Sequence, residues 1–150
     1  MYSQEVGTDG ESTLRVQNSC LSPFGIHPHV ASHGVTRSQL DQLDSLLVES
    51  KCVAVGEIRI DHTTRCRCDP KCKNENECRG RMARNQEEAL IGMLCLDRDR
   101  NLPVVLHCRD NGTGQAASKT LQVIKETGLT DLKFHISSRG IDKRFEVSYM

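Results

Sequence analysis

An ionisable side chain follows each of four short apolar runs in this chain of 150 residues. These side chains belong to His27, Glu57, His107 and His135. If the runs are parallel strands, their carboxyl ends share one edge of a sheet, where ligands and catalytic groups collect. One carboxylate with two or three imidazoles suits a divalent ion that takes nitrogen and oxygen ligands. The pattern therefore predicts a metal site assembled from distant parts of the chain.

Each of these residues also has a simpler interpretation. A single histidine at a strand end is more often hydrogen-bonded than bound to metal, and Glu57 could cap the segment that follows it. The joint occurrence of Glu57, His107 and His135 favours the metal site. A carboxylate can bridge two ions, and two ions about 3.5–4 Å apart can hold both oxygens of a phosphoryl transfer. Arg109 carries a planar guanidinium that fits phosphate oxygens.

The segments that must position these residues alternate between strand and helix patterns. Buried apolar runs predict strands over residues 24–26, 51–60, 102–107 and 132–136. Apolar spacing predicts helices over residues 36–49, 86–99 and 115–127. This alternation is typical of βαβ units, so the sequence predicts an α/β fold with a parallel sheet. At the end of the third predicted strand, Cys108 is expected to face away from His107, which argues against a Cys/His nucleophile.

Three stretches depart from this regular pattern. Residues 1–19 are polar and aperiodic, and we interpret them as a loose leader. The α/β domain is expected over residues 20–136, interrupted by a Cys-rich basic insert over residues 61–85. Residues 137–150 carry no clear signal and are expected to form a divergent tail.

The insert contains four cysteines, with the spacing C-x-C-x₃-C-x₅-C. They are Cys66, Cys68, Cys72 and Cys78. The paired C-x-x-C knuckles of a strong zinc signal are absent, so the spacing favours thiols in a solvated loop. A structural zinc site is the alternative that this spacing leaves open.

Composition restricts the partners and the location. Twenty Lys and Arg balance twenty Asp and Glu, so no global field attracts a polyanion, and nucleic-acid binding would need a local patch or bound metal. No apolar stretch approaches the ~18 residues of a membrane span. The first twenty residues show no secretory signal, so we expect an intracellular, non-secreted protein whose cysteines are thiols or metal ligands. The oligomeric state stays open.

Three phrases together resemble the TatD family of metal-dependent deoxyribonucleases. They are GIHPH at 25–29, VGEIRID at 55–61 and LPVVLHCRD at 102–110. QE at 86–87 and FH at 134–135 follow the family in the same order. The resemblance covers roughly residues 24–135. The insert is longer than the family's usual loop at this point, and in this it is similar to the animal branch of the family.

The resemblance implies a metallo-hydrolase TIM barrel that cleaves the phosphodiester bonds of DNA with two divalent ions of the Mg or Zn type. It implies that Glu57 bridges the ions and that His107 and His135 are further ligands, which makes these three the candidate catalytic and metal-binding residues. Other candidates lie around them: Asp61 as a support for the ligands, and Arg109 and His27 on the side of the substrate phosphate.

The chain also departs from the family pattern. Nothing before Phe24 supplies the family's Asp-x-His-x-His first strand, no last-strand Asp ligand is present, and residues 136–139 replace the family's Cys-Phe and Gly. An eight-unit barrel needs ~200–250 residues, so we expect a partial TIM barrel with about four of the eight strands. Three hypotheses follow: a TatD-like deoxyribonuclease segment, a non-catalytic remnant, and a zinc-stabilised binding module built on the cysteines.

Overall fold

The computed structural model describes residues 4–5, 22–49, 52–68 and 71–139 of the chain. The elements in chain order are β1 (Gln4–Glu5), β2 (Ser22–Gly25), α1 (Pro28–Ala31), α2 (Arg37–Glu49), β3 (Cys52–Asp61), α3 (Glu75–Arg98), β4 (Val104–Arg109), α4 (Gln115–Thr127) and β5 (Phe134–Arg139). The five strands form one sheet in the order β1-β2-β3-β4-β5, and every neighbouring pair is parallel. The predicted α/β fold with a parallel sheet is therefore confirmed, and its sequential strand order is that of part of a TIM barrel.

Strands extend into two stretches that were expected to be irregular. Gln4 and Glu5, inside the expected leader, pair with Phe24 and Gly25 of β2. A two-residue strand carries no periodicity, which is why the sequence did not reveal it. Strand β5 runs to Arg139, so it includes the first residues of the expected tail. The remainder of the leader and of the tail lies outside the described residues, and the predicted boundaries at 19/20 and 136/137 stay predictions.

Helix α3 begins at Glu75, although the apolar pattern placed its start at Gln86. The side chain of Asn74 accepts a hydrogen bond from the backbone N–H of Glu77 (3.1 Å), which caps the helix. Glu75 and Glu77 add negative charge to the first turn, where the helix dipole favours it. The polar residues of the first turns interrupt the apolar spacing, so this part of the helix was not predicted. The bounds of the Cys-rich insert at 61–85 stay a prediction, and within it residues 62–74 form the connection that precedes α3.

An aliphatic core lies between the helices and one face of the sheet. In β4, Val104, Leu106 and Cys108 are buried, whereas Val105 and His107 are only half-buried. The largest fully buried side chains are Ile26, Leu43, Ile58, Leu90, Met93, Leu94 and Leu106. The alternation leaves a second, more open face, and in a closed barrel this face would be the interior. No helix in the described ranges is long and apolar enough to cross a membrane.

Two glycines, on β2 and β3 just before Glu57, occupy positions with no room for a Cβ. Gly56 has a φ of +144°, and a Cβ there would lie 2.6 Å from the carbonyl oxygen of Val105. A Cβ on Gly25 would lie 2.8 Å from the carbonyl carbon of Gly56. Only glycine satisfies both the backbone angle and the close approach at position 56. The position of Glu57 on the sheet therefore depends on the residue before it.

Candidate metal centre

Glu57 and His107 meet on the open face of the sheet. Oε1 of Glu57 lies 3.3 Å from Nε2 of His107, and both side chains are less than one-third exposed. The two residues are distant in sequence, but β3 pairs with β4 in parallel and places Arg59 opposite His107. The structure thus joins two of the three predicted metal ligands into what we call the sheet pair, Glu57 and His107.

Arg59 is a neighbour of Glu57 that sequence reasoning missed. Its Nη2 lies 3.2 Å from Oε2 of Glu57, and the side chain of Arg59 is 21% exposed. Side chains two residues apart on a strand share a face, so the alternation along β3 was the available signal. Both oxygens of the Glu57 carboxylate therefore have a neighbour: the imidazole of His107 on one side and the guanidinium of Arg59 on the other.

The candidate ligands lie within their strands, not at the ends where the sequence placed them. Strand β3 continues to Asp61 and β4 continues to Arg109, so the sheet pair lies on the face of the sheet and not at its rim. The prediction that these residues end their strands is wrong, because an open sheet face accepts polar side chains without ending the hydrogen-bonded ladder. The meeting of all three side chains stays a prediction. His135 is the second residue of β5, opposite Val105 in the register, and its side chain lies outside the described part of the structure.

Asp61 organises the turn that follows β3. Its Oδ1 accepts hydrogen bonds from the backbone N–H (2.8 Å) and the hydroxyl (2.6 Å) of Thr63. Its backbone N–H donates to Oε1 of Gln86 (2.8 Å), whose Nε2 donates to the hydroxyl of Ser32 (2.7 Å). Gln86 is buried and polar, and it ties β3 to α3 and to the end of α1. Asp61 thus holds the end of the strand that carries Glu57.

His27 and Arg109 occupy different environments. His27 caps α1, and its Nδ1 accepts a hydrogen bond from the backbone N–H of His29 (3.2 Å). The short helix α1 was not predicted; Pro28 at its first position suits a helix start, because the missing N–H is not needed there. Arg109 is exposed at the end of β4, and it pairs in the register with Asp61.

Asp110 closes the connection between β4 and α4. Its Oδ1 accepts hydrogen bonds from the backbone N–H groups of Gly112 (2.9 Å), Thr113 (3.0 Å) and Gly114 (3.3 Å). Its Oδ2 accepts one from the N–H of Ala116 (2.9 Å). The hydrogen bond from Ala116 is the main cause of the lowered pKa of Asp110. This carboxylate fixes the loop directly after Arg109.

A cleft of about 390 Å³ opens between the start of α3 and the connection from β4 to α4. Glu57 and His107 are not among the residues that line it. Its polar lining includes Asp61, Asn76, Arg79, Gln86, Asp110 and Asn111. The cleft and the sheet pair are therefore separate features of the molecule.

The four cysteines of the insert form a compact group, which we call the thiol cluster: Cys66, Cys68, Cys72 and Cys78. All four Sγ atoms lie within 4.8 Å of one another, so the cluster could hold a metal ion. A hydrogen bond from the backbone N–H of Cys68 is the main reason that the pKa of the Cys66 thiol is lowered to about 6. The pKa values of the other three thiols are raised, chiefly through their hydrogen bonds with the Cys66 sulfur.

Comparison with known proteins identifies the same family as the sequence phrases that contain Glu57 and His107. A sequence model of the TatD-related DNase family matches residues 8–146. The chain belongs to the TatD family. The match is wider than the stretch 24–135 that carries the recognisable phrases. The parallel sheet of this TatD chain is accordingly part of a TIM barrel, and metal dependence is a property of its family.

Individual TatD relatives are longer than this chain. It is 32% identical over 113 residues to a 3'-5' ssDNA/RNA exonuclease TatD of Rahnella sp. (strain Y9602), which covers 71% of this chain and 37% of that protein. It is 30% identical over 100 residues to the 3'-5' ssDNA/RNA exonuclease TatD of Escherichia coli (strain K12), which covers 67% of this chain and 33% of that protein. The chain spans about a third of the length of the curated relatives that it matches.

Proposed function

We propose that this TatD-family chain acts in the divalent-metal-dependent hydrolysis of phosphodiester bonds in DNA. The observation that carries the proposal is the 3.3 Å approach of Glu57 Oε1 to His107 Nε2 on a partly open face of the sheet. Relatives named as 3'-5' ssDNA/RNA exonucleases support a nucleic acid as the substrate class. We place the activity inside the cell as part of the proposal, since thiols such as Cys108 stay reduced there.

The donor atoms of the sheet pair fit a divalent ion. A carboxylate oxygen and an imidazole nitrogen are ligands that Zn²⁺ and similar ions accept, and at this separation both can face one ion. We propose His135 as a third ligand because β5 lies next to β4 in the sheet. When bound, such an ion supplies positive charge that polarises a phosphodiester and lowers the pKa of water.

Arg59 limits how many ions Glu57 can hold. The family resemblance implies that Glu57 bridges two ions, and a second ion would compete with the guanidinium of Arg59, which is paired with Oε2. With Arg59 in place, we propose that Glu57 holds one ion through Oε1 and that the guanidinium provides the second positive charge beside the carboxylate. Arg59 would have to turn away before a second ion could bind.

The remaining candidates surround the sheet pair. We propose that Arg109, exposed at the end of β4, binds a substrate phosphate through its planar guanidinium. Asp61 supports the site by holding the end of β3, through its hydrogen bonds with Thr63. His27 stays a candidate on the phosphate side; its Nδ1 accepts a hydrogen bond from the backbone N–H of His29 at the start of α1.

The test is a cleavage assay with the purified full chain and single-stranded DNA or RNA labelled at the 5' end. We expect stepwise shortening from the 3' end with Mg²⁺ or Mn²⁺ and none in excess chelator. Glu57→Gln should lower the rate by about a hundredfold or more, because it removes the charged ligand. Glu88→Gln, at an exposed position on α3, is the matched control and should leave the rate unchanged.

Binding of Mn²⁺, followed by electron paramagnetic resonance, gives a second readout that does not need turnover. The wild-type chain and the Glu88→Gln variant should bind the ion, and Glu57→Gln should not. Cleavage that persists in chelator or in Glu57→Gln would contradict the proposal. A chain that binds no Mn²⁺ and cleaves neither polymer would overturn it in favour of a non-catalytic remnant.

A further inference from the structure

The thiol cluster has the size of a four-sulfur metal site. Sγ of Cys66 lies 3.3 Å from Sγ of Cys72, and Sγ of Cys68 lies 3.8 Å from Sγ of Cys78. Four thiolates around a tetrahedral zinc ion, with Zn–S bonds of about 2.3 Å, have their sulfur atoms about 3.8 Å apart. Because every Sγ lies within 4.8 Å of the other three, a single ion can contact all of them.

The backbone around the cluster is arranged to present its sulfur atoms. Asn74 caps α3 and accepts the backbone N–H of Cys78 on its carbonyl oxygen (3.1 Å), which places Cys78 in the first turn of the helix. The backbone N–H of Cys68 points at Sγ of Cys66 (3.4 Å). Hydrogen bonds of this kind orient metal ligands and stabilise their negative charge.

A positive charge accompanies the sulfur atoms. Nη2 of Arg81 lies 3.5 Å from Sγ of Cys78 and 3.8 Å from Sγ of Cys68. Four thiolates and one divalent cation leave a net charge of −2, which a neighbouring guanidinium partly offsets. The surrounding sequence is also basic, since residues 62–84 hold seven Lys and Arg against three Asp and Glu.

The connection that carries three of these cysteines lacks the large apolar side chains that could hold it in place. Residues 62–74 contain no Val, Ile, Leu, Met, Phe, Tyr or Trp. Burial of apolar surface therefore cannot offset the entropy lost when this connection is ordered. Among the four cysteines only Cys78 is buried. A metal ion that links Cys66, Cys68 and Cys72 to α3 supplies the missing stabilisation.

We propose that the thiol cluster binds one structural Zn²⁺ through its four sulfur atoms. Four protein ligands complete a tetrahedral shell, so this ion has no open position for a substrate or a water. It is separate from the ion proposed at the sheet pair, which takes oxygen and nitrogen ligands. Its role is to hold the connection 62–74 against the start of α3, and so to shape one wall of the cleft that includes His62, Thr64 and Asn76.

The first experiment measures the zinc content of the full chain, purified in reductant and dialysed against a weak chelator. We expect one zinc ion per chain in the wild type. Cys72→Ser removes a half-buried ligand that lies outside any helix, and it should lower the retained zinc by about tenfold or more. Cys95→Ser is the matched control, because Cys95 is an exposed thiol on α3 outside the cluster, and it should retain the ion.

X-ray absorption of the wild-type chain gives a result that does not depend on how a variant folds. We expect a shell of four sulfur atoms at about 2.3 Å from zinc. The Glu57→Gln variant should keep its zinc, which separates this ion from the sheet pair. A zinc shell of nitrogen and oxygen, full zinc retention in Cys72→Ser, bound iron, or a reduced chain without zinc would each overturn the proposal. So would disulfides that persist in reductant with zinc present.

Discussion

The two groups of candidate metal ligands in this molecule, the sheet pair and the thiol cluster, are assembled in opposite ways. Glu57 and His107 lie far apart in sequence and meet because β3 and β4 pair in parallel. The cluster falls within residues 66–78 and forms around one connection and the first turn of a helix. The sheet pair therefore depends on the whole core, whereas the thiol cluster depends on local chain geometry and on what binds there.

The two groups also differ in their existing neighbours. The Glu57 carboxylate has a guanidinium at one oxygen and an imidazole at the other, so an ion competes with charges that are already in place. The sulfur atoms of the cluster mainly contact one another, with Arg81 beside them. An ion there replaces thiol protons and not a salt bridge. The affinity of a metal site therefore depends on the proximity of the ligand atoms and also on the interactions that these atoms give up when the ion binds.

The largest expected effect is a loss of stability caused by a backbone substitution next to the sheet pair. Gly56→Ala should lower the free energy of unfolding by about 3 kcal/mol, because the positive φ and the contact with the Val105 carbonyl both penalise a Cβ. Urea unfolding followed by circular dichroism measures the change.

The control for this prediction lies beside the thiol cluster. A Cβ at Gly80 in α3 would meet only the end of the Arg84 side chain at 3.6 Å. Gly80→Ala should therefore stabilise the chain by up to about 1 kcal/mol through helix propensity. Equal destabilisation by Gly56→Ala and Gly80→Ala would contradict the view that only position 56, beside the sheet pair, requires glycine.

Metal removal should affect the thiol cluster and spare the sheet. A strong chelator should raise the rate of tryptic cleavage at Arg67 and Lys71 by about tenfold or more, because the connection 62–74 loses the ion that holds it. Cleavage at Lys119 in α4 serves as the internal control and should not change. Mass spectrometry of the early fragments gives both rates, and an unchanged rate at Arg67 would count against a structural ion.

Acid should weaken the connection between β4 and α4, because its backbone is held by the carboxylate of Asp110. Asp110→Ala should lower the free energy of unfolding by about 1 kcal/mol at neutral pH, since four backbone N–H groups lose their acceptor. The pKa of Asp110 is lowered in the folded chain by the hydrogen bond from Ala116, so this contribution is present above the ordinary value of 3.8 and is lost as the pH falls below it.

The measurement is the difference in unfolding free energy between the wild type and Asp110→Ala as a function of pH. The difference should narrow below about pH 4. Asp131→Ala, at an exposed position after α4, should show no comparable loss. A difference that stays constant down to strong acid would mean that the hydrogen bonds to Asp110 do not depend on its charge.

The smallest expected effect is a change in metal affinity, and it tests whether Arg59 competes with an ion for Glu57. Arg59→Gln should tighten the binding of Mn²⁺ to the sheet pair by about threefold, since an ion pair of this exposure contributes roughly 0.2–1 kcal/mol. Titration calorimetry measures the change. Arg79→Gln, which removes an exposed pair with Glu75, is the control. Weaker binding in Arg59→Gln would show instead that the guanidinium positions Glu57 for the ion.

The order of elements and the main candidate residues could be predicted from the sequence. Apolar runs and helical spacing are local properties, so α4 over Gln115–Thr127 and the strands around residues 55 and 106 were expected where they occur. Cys108 is buried against Thr120, with Sγ 3.4 Å from its hydroxyl, as strand alternation predicted. The same motifs that carry Glu57 and His107 also indicated the family that the match over residues 8–146 shows.

Only the tertiary structure decided which of these side chains meet and what else they touch. The contact between Glu57 and His107 depends on the pairing of β3 with β4, and the early start of α3 depends on a polar cap. Hydrophobic spacing encodes neither of them. The cysteine spacing alone favoured thiols in a solvated loop, yet the fold brings the four sulfur atoms within 4.8 Å of one another at the start of α3. The sequence specifies the side-chain types, but the packing of strands and helices sets the distances between them.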